Sequence, residues 1–145
     1  MQQTDLAQHP LDRFEQLYHS LNKDSIELVK DVYADDIVFI DPFHRIEGMS
    51  QYLKYCADMY ENVTRCEFQF HDRYVKDGAA VITWTMTFVH PKLNKGEPVT
   101  VDGASKLKFH DKIYSHKDYF DGGALLYEHV PVLGWAIGAL KKRFG

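Results

Sequence analysis

The hydrophobic period changes once along this chain, and that change constrains the fold more than any other feature. Over residues 10–33 apolar side chains recur at helical spacing, as Leu11, Phe14, Leu17, Tyr18 and Leu21, then Ile26, Leu28, Val29, Val32 and Tyr33. Residues 49–60 repeat the pattern with Met49, Tyr52, Leu53, Cys56, Met59 and Tyr60. From residue 66 the period becomes two. Cys66, Phe68 and Phe70 alternate with Glu67, Gln69 and His71, and Ile82, Trp84, Met86 and Phe88 alternate with Thr83, Thr85 and Thr87. A 3.6-residue spacing lays an apolar stripe along a helix, whereas alternation turns one face of a strand toward a core. Helices first and alternating strands afterwards predict an α+β fold, with the helices packed to one side of a curved antiparallel sheet.

Punctuation supports the same division. Asn22, Lys23, Asp24 and Ser25 separate two helical segments, with Asp24 or Ser25 as N-cap of the second and Glu27 in its first turn. After Ala34, Asp35 and Asp36, a short run at 37–41 reads as a strand ended by Pro42, which cannot donate to a ladder. His44, Arg45 and Glu47 read as a solvated loop, and Gly48 precedes the third helix. Asp77-Gly78 predicts a tight hairpin, residues 91–98 a longer one into a strand at 99–109, and His110-Asp111-Lys112 a turn into a last strand at 113–120. With no repeat or linker, residues 1–145 are expected to form a single domain. Within it 1–9 reads as a flexible N-terminus and 123–145 as a helical tail whose basic end, Lys141, Lys142 and Arg143, complements the helix dipole.

Charge removes several functions. Seventeen Lys and Arg against 21 Asp and Glu leave a net charge of −4, the wrong sign for a surface that neutralises phosphates, so nucleic acid is not an expected partner. Cys56 and Cys66 form no CxxC or zinc-ligand pattern, and neither metal nor cofactor is expected. The longest apolar tract, 130–140, is interrupted by Pro131, Gly134 and Gly138 and falls short of the roughly 20 residues that span a bilayer. No secretory pattern opens the chain, so a cytoplasmic protein without a membrane partner is expected.

Strand parity selects candidate functional residues. Tyr114, His116, Asp118 and Phe120 share one face of the last strand, opposite Ser115, Lys117 and Tyr119. Two ionisable groups on a face that should be apolar break a local rule, and such breaks gather at functional sites. On the preceding strand Val99, Val101, Gly103, Ser105 and Leu107 face inward, and Trp84 and Met86 supply bulky lining. His116 and Asp118, with Cα atoms about 6.5–7 Å apart, can couple through a substrate or water. A core histidine bonded to a backbone carbonyl satisfies the same pattern.

Tyr33-Ala34-Asp35-Asp36, Asp41-Pro42-Phe43, Gly48 and His116-Lys117-Asp118-Tyr119-Phe120-Asp121 together resemble the nuclear transport factor 2-like superfamily, and within it the SnoaL-like polyketide cyclases and their relatives. The resemblance covers about residues 10–122. It implies a cone-shaped fold: a strongly bent antiparallel sheet wrapped around N-terminal helices, with a pocket in its mouth. It also implies a cofactor-free acid/base catalyst for isomerisation, cyclisation, dehydration or hydrolysis of a small, largely apolar carbonyl-type substrate. A non-catalytic ligand-binding or sensory protein, or a dimerisation module, fits the same fold.

By that resemblance Asp41 lies in the motif slot of the general-base carboxylate of ketosteroid isomerase, though it serves equally well as a cap on the turn around Pro42 and Phe43. Asp118 matches the terminal-strand Asp of limonene epoxide hydrolase-like relatives, whose partner Arg and Asp are absent from Thr83-Trp84-Thr85-Met86-Thr87. Ser105 and Tyr18 stand near the positions of the isomerase's oxyanion donors. The implied catalytic set is Asp41, His116 and Asp118, with Tyr18, Tyr55, Trp84, Met86, Ser105 and Phe120 contacting substrate. The outward row Thr83, Thr85 and Thr87 would meet a second subunit in the homodimer common to the family.

Overall fold

A computed structural model describes residues 9–125 and 131–144; the expected flexible N-terminus and part of the tail lie outside the described residues. Helix α1 (Pro10–Ser20) starts with a proline whose missing N–H has no role in a first turn, and His9 Nδ1 accepts from Leu11 N at 3.1 Å. Leu11, Phe14 and Leu17 are its buried stripe. Arg73 fastens the helix to the sheet, its Nη2 lying 2.8 Å from Asp12 and its Nε 2.7 Å from Glu15.

The second helical segment is shorter than its periodicity predicts. It consists of a 3₁₀ turn at Ile26–Leu28 and a single α turn, α2 (Val29–Val32), before the chain extends into β1 (Tyr33–Ile40). Ser25 does not cap it through its side chain: its hydroxyl accepts from Asn22 N at 2.9 Å and donates to Ser20 O at 3.1 Å, closing the preceding turn instead. The β-branched and aromatic residues from Val29 onward favour extended backbone. Asp35 and Asp36 are therefore exposed strand residues rather than a turn, at a register irregularity between Tyr33 and Val38.

The 44–47 stretch is likewise a strand and not a solvated loop. β2 (Arg45–Glu47) pairs antiparallel with β1, with Ile46 buried between exposed neighbours. Helix α3 (Met49–Asn62) follows and buries Tyr52, Cys56 and Tyr60. Strands β3 (Arg65–Lys76), β4 (Ala79–Val89), β5 (Val99–Phe109) and β6 (Ile113–Phe120) form the antiparallel meander read from the alternation. Asp77 and Gly78, both at positive φ (47° and 76°), make the tight turn between β3 and β4.

The sheet order is β2-β1-β6-β5-β4-β3, curved and unclosed, in the α+β cone architecture. One pairing departs from the antiparallel expectation: β1 runs parallel to β6, with Phe39 opposite His116 and Ile40 opposite Lys117. A crossover through α3 and the meander makes that direction possible. A bulge where Lys108 gives way to Phe109 shifts parity at the start of β6, so Ile113 is fully buried while Tyr114 stacks on His110. On the opposite face of the sheet, Thr85 Oγ1 donates to Asp102 at 2.7 Å and meets His71 Nε2 at 2.8 Å, and Thr83 Oγ1 accepts from Asp72 N. Two short-to-medium helices, α4 (Gly122–Leu125) and α5 (Pro131–Phe144), complete the described chain. No helix among the described residues is long and apolar enough to cross a membrane.

Candidate functional site

Between α3 and the concave face of the sheet lies a cavity of about 670 Å³, within the range of small-molecule sites. Tyr18, Asp41, Tyr55, Trp84, Met86, Asp118 and Phe120 all line it, so seven of the nine residues singled out by sequence are brought to one space. Ser105 and His116 are not on its wall. Both are 2% exposed and sit in a small cleft behind it, bordered also by Phe14 and Phe70. Tyr18, Phe68, Trp84 and Asp118 border both spaces and form the partition between them.

Asp118 connects the two. Its Oδ1 accepts from Ser105 Oγ at 2.5 Å and lies 2.6 Å from His116 Nε2. Ser105 in turn accepts from the Trp84 indole N–H at 2.9 Å. That indole lies across Gly103, where a Cβ would stand 2.4 Å from the ring. The register explains the grouping: Trp84 opposes Gly103, which opposes Phe120, and Ile82 opposes Ser105, which opposes Asp118. Inward parity on three neighbouring strands thus places one aromatic, one hydroxyl and one carboxylate in contact. The strand rise that separates His116 from Asp118 leaves their side chains side by side, as the spacing predicts.

Behind His116 runs a chain of phenols. Tyr33 OH is 2.7 Å from His116 Nδ1, Tyr18 OH is 2.7 Å from Tyr33 OH, and Tyr52 OH is 2.8 Å from Tyr18 OH. Tyr33 also stacks on the imidazole, with ring planes 7° apart. Burial pushes all three phenols well above the ordinary tyrosine range, so they act as neutral hydroxyls. Donation in the order Tyr52, Tyr18, Tyr33 ends on Nδ1 and suits the neutral Nε2–H tautomer, which then donates to Asp118. Sequence reading passed over Tyr33 and Tyr52 as members of this chain, because each sits at an apolar position of a helical pattern. The signal available was the choice of Tyr over Phe at three inward sites, since a buried phenol needs a partner.

Asp41 is arranged differently. Its Oδ1 accepts from Phe43 N at 2.8 Å and His44 N at 2.7 Å, with His44 Nδ1 at 3.1 Å; its Oδ2 accepts from Tyr55 OH at 3.2 Å. The turn cap and the cavity position therefore coexist, with the side chain 6% exposed. Burial, then the Asp41 charge, then more weakly that of Asp118, raise the Tyr55 hydroxyl, so both carboxylates lie within electrostatic reach of it. The parallel register accounts for this: it ends with Ile40 opposite Lys117, and Asp41 and Asp118 are the next residues of the two neighbouring segments. Cys56 and Cys66 also line the cavity, and burial pushes both thiols up to about 12. No group of three or more His, Cys, Asp or Glu that could hold a metal ion occurs among the described residues.

The sequence profile of the SnoaL-like domain matches residues 14–116. The chain belongs to the SnoaL-like domain family. No curated protein matches its sequence. Solved structures with the same fold include a protein with a ketosteroid isomerase-like fold from Catenulispora acidiphila in complex with trimethylamine, 15% identical, TM-score 0.70, covering 81% of this chain and 88% of that one. A putative SnoaL-like polyketide cyclase from a Jannaschia species is 16% identical, TM-score 0.67, over 80% and 90%. An LEH-like epoxide hydrolase of M. tuberculosis is 18% identical, TM-score 0.69, over 90% and 95%. At these identities the likeness is one of fold.

Proposed function

We propose that this SnoaL-like protein binds a small, largely apolar molecule in the cavity and that Asp118 accepts a proton from it in cofactor-free acid/base chemistry. The observation that carries the reading is the uneven use of the Asp118 oxygens. Oδ1 takes both hydrogen bonds from the wall, and among the described residues none is made to Oδ2, which leaves the second oxygen to a ligand. A carboxylate held by fixed donors on a largely apolar wall is the arrangement a general base requires. Asp41, whose oxygens already serve two backbone amides, His44 and Tyr55, orients the Tyr55 hydroxyl instead. His116 positions the base. Among fold neighbours, one has a small amine bound and another is an epoxide hydrolase, which is in keeping with a molecule-sized pocket of this kind.

Base-promoted elimination of 5-nitrobenzisoxazole is a generic probe for such a carboxylate. The native protein should accelerate it, and Asp118→Asn should lower the rate by roughly 10²-fold or more, the usual size of a general-base contribution. Asp41→Asn should retain most of it. Equal rates for native protein and Asp118→Asn would remove the base role and leave a binding protein.

A further inference from the structure

We infer that the ligand of this cavity carries a positive charge: an ammonium or other organic cation on an apolar body. The inference rests on reading the cavity as a small-molecule site, and is independent of whether Asp118 acts as a base.

The charge inside the cavity is one-sided. Asp41, the residue after β1, and Asp118, inside the neighbouring parallel strand β6, both line the cavity, and the fields of both reach the Tyr55 hydroxyl. Lys54, which also borders the cavity, is an exposed residue of α3, one turn from the exposed Asp58. His44 is half exposed at the mouth and is already engaged with Asp41. His116, bonded to Asp118 through Nε2, is engaged on its other nitrogen by the Tyr33 hydroxyl at 2.7 Å. Asp118 borders the cavity with its side chain only 16% exposed, and among the described residues no lysine or arginine is bonded to it. A carboxylate in such a place is costly until a cation joins it.

The walls around that carboxylate are suited to a cation rather than to a neutral donor. Tyr18, Phe68 and Trp84 share the partition with Asp118, and Phe120 follows it by two residues on the same face of β6. Phe68 and Trp84 meet edge to face at 5.2 Å, and Trp84 and Phe120 lie 6.2 Å apart, so three aromatic rings cluster at that corner. Aromatic faces attract an organic cation that has shed its water, and they do so most strongly when Trp is among them. An anion would meet two carboxylates and the negative faces of the rings. The remaining volume, with Met86, Phe88 and Leu93 on its walls, accommodates an apolar body larger than a simple amine.

Three probes of nearly equal shape separate the possibilities: 4-phenylbutylamine, 4-phenylbutan-1-ol and 4-phenylbutanoate, titrated calorimetrically into the native protein at neutral pH. The amine, protonated there, should bind about tenfold or more tighter than the alcohol, and the carboxylate should not bind measurably. Asp118→Asn should bring amine and alcohol to within roughly threefold of each other, chiefly through loss of the amine's affinity. Because the native comparison needs no variant, the result stands even if Asp118→Asn fails to fold. Binding of the alcohol as tightly as the amine overturns the cationic assignment and leaves the small-molecule reading intact, and an amine preference that survives Asp118→Asn overturns Asp118 as the partner of the cation. Binding of none of the three overturns both.

Discussion

Gly103→Ala tests whether the packing behind Asp118 is as tight as the contacts indicate. The new Cβ would stand 2.4 Å from Cη2, 2.7 Å from Cζ3 and 2.8 Å from Cζ2 of Trp84. Carbon atoms settle at about 3.5–4.0 Å, so the indole has to retreat by about 1 Å. It has little room to do so. Trp84 is 2% exposed, Phe68 lies against it, and its N–H is tied to Ser105 at 2.9 Å. Overpacking of this kind costs about 1–3 kcal/mol. Losing the indole hydrogen bond adds about 1 kcal/mol. The reduced freedom of the unfolded chain returns about 0.4–1 kcal/mol. Net destabilisation of about 2 kcal/mol is expected, read as a lower urea midpoint with unchanged m, and as a Tm lower by roughly 5–8 °C for a chain of this length. A change smaller than about 0.5 kcal/mol, the range of an ordinary surface substitution, would show that the ring is free to move and that Ser105 is not held by it.

Tyr33→Phe removes the hydroxyl between Tyr18 and His116 and leaves Nδ1 buried without its donor; it should cost about 1–3 kcal/mol and shift the His116 imidazole ¹⁵N resonances. Unchanged ¹⁵N resonances would contradict the phenol chain. The buried thiols predict an alkaline limit. Burial pushes Cys56 and Cys66 from 9.0 up to about 12 in the folded protein, so below pH 9 both states keep these protons and stability is level. Between those values the unfolded chain releases protons that the folded chain retains, and each thiol lowers stability by up to about 1.4 kcal/mol per pH unit. The urea midpoint should fall between pH 8 and pH 10, and less so in Cys56→Ser; a level midpoint would refute thiol burial.

How much of this was legible in the sequence depended on the length of each element. β5 and β6 emerged at their observed bounds because 11 and 8 alternating residues outweigh any local ambiguity. β2 has three residues, too few to show a period, and was read as loop. The 26–33 segment carried helical spacing, yet its β-branched residues and the sheet beside it drew Tyr33 into a strand. Cavity residues were found by parity alone where they project directly inward, as with Trp84, Met86 and Phe120. Parity cannot report depth, so Ser105 and His116 shared the correct face while lying one layer behind the wall. Pairing direction was the other hidden quantity. Nothing in a single strand's composition says that β1 will run parallel to β6, and it is this pairing that sets Asp41 beside Asp118.

The two carboxylates, Asp41 singled out by its Asp-Pro-Phe segment and Asp118 by strand parity, are held in different ways. Asp41 precedes Pro42, so the chain must turn immediately, and the amides of Phe43 and His44 point back at the first available acceptor. Its hydrogen-bonding capacity is thereby taken up by local backbone. Asp118 sits inside a strand, where the backbone amides are engaged by the ladder and no turn competes for its oxygens. Only side chains from neighbouring strands and its own face reach it, and both bind the same oxygen. A carboxylate at a turn is saturated by the fold, whereas one on an inward strand face is oriented by the fold and left with an oxygen to spare. The proposed base is accordingly the strand carboxylate, with the turn carboxylate holding the Tyr55 hydroxyl beside it.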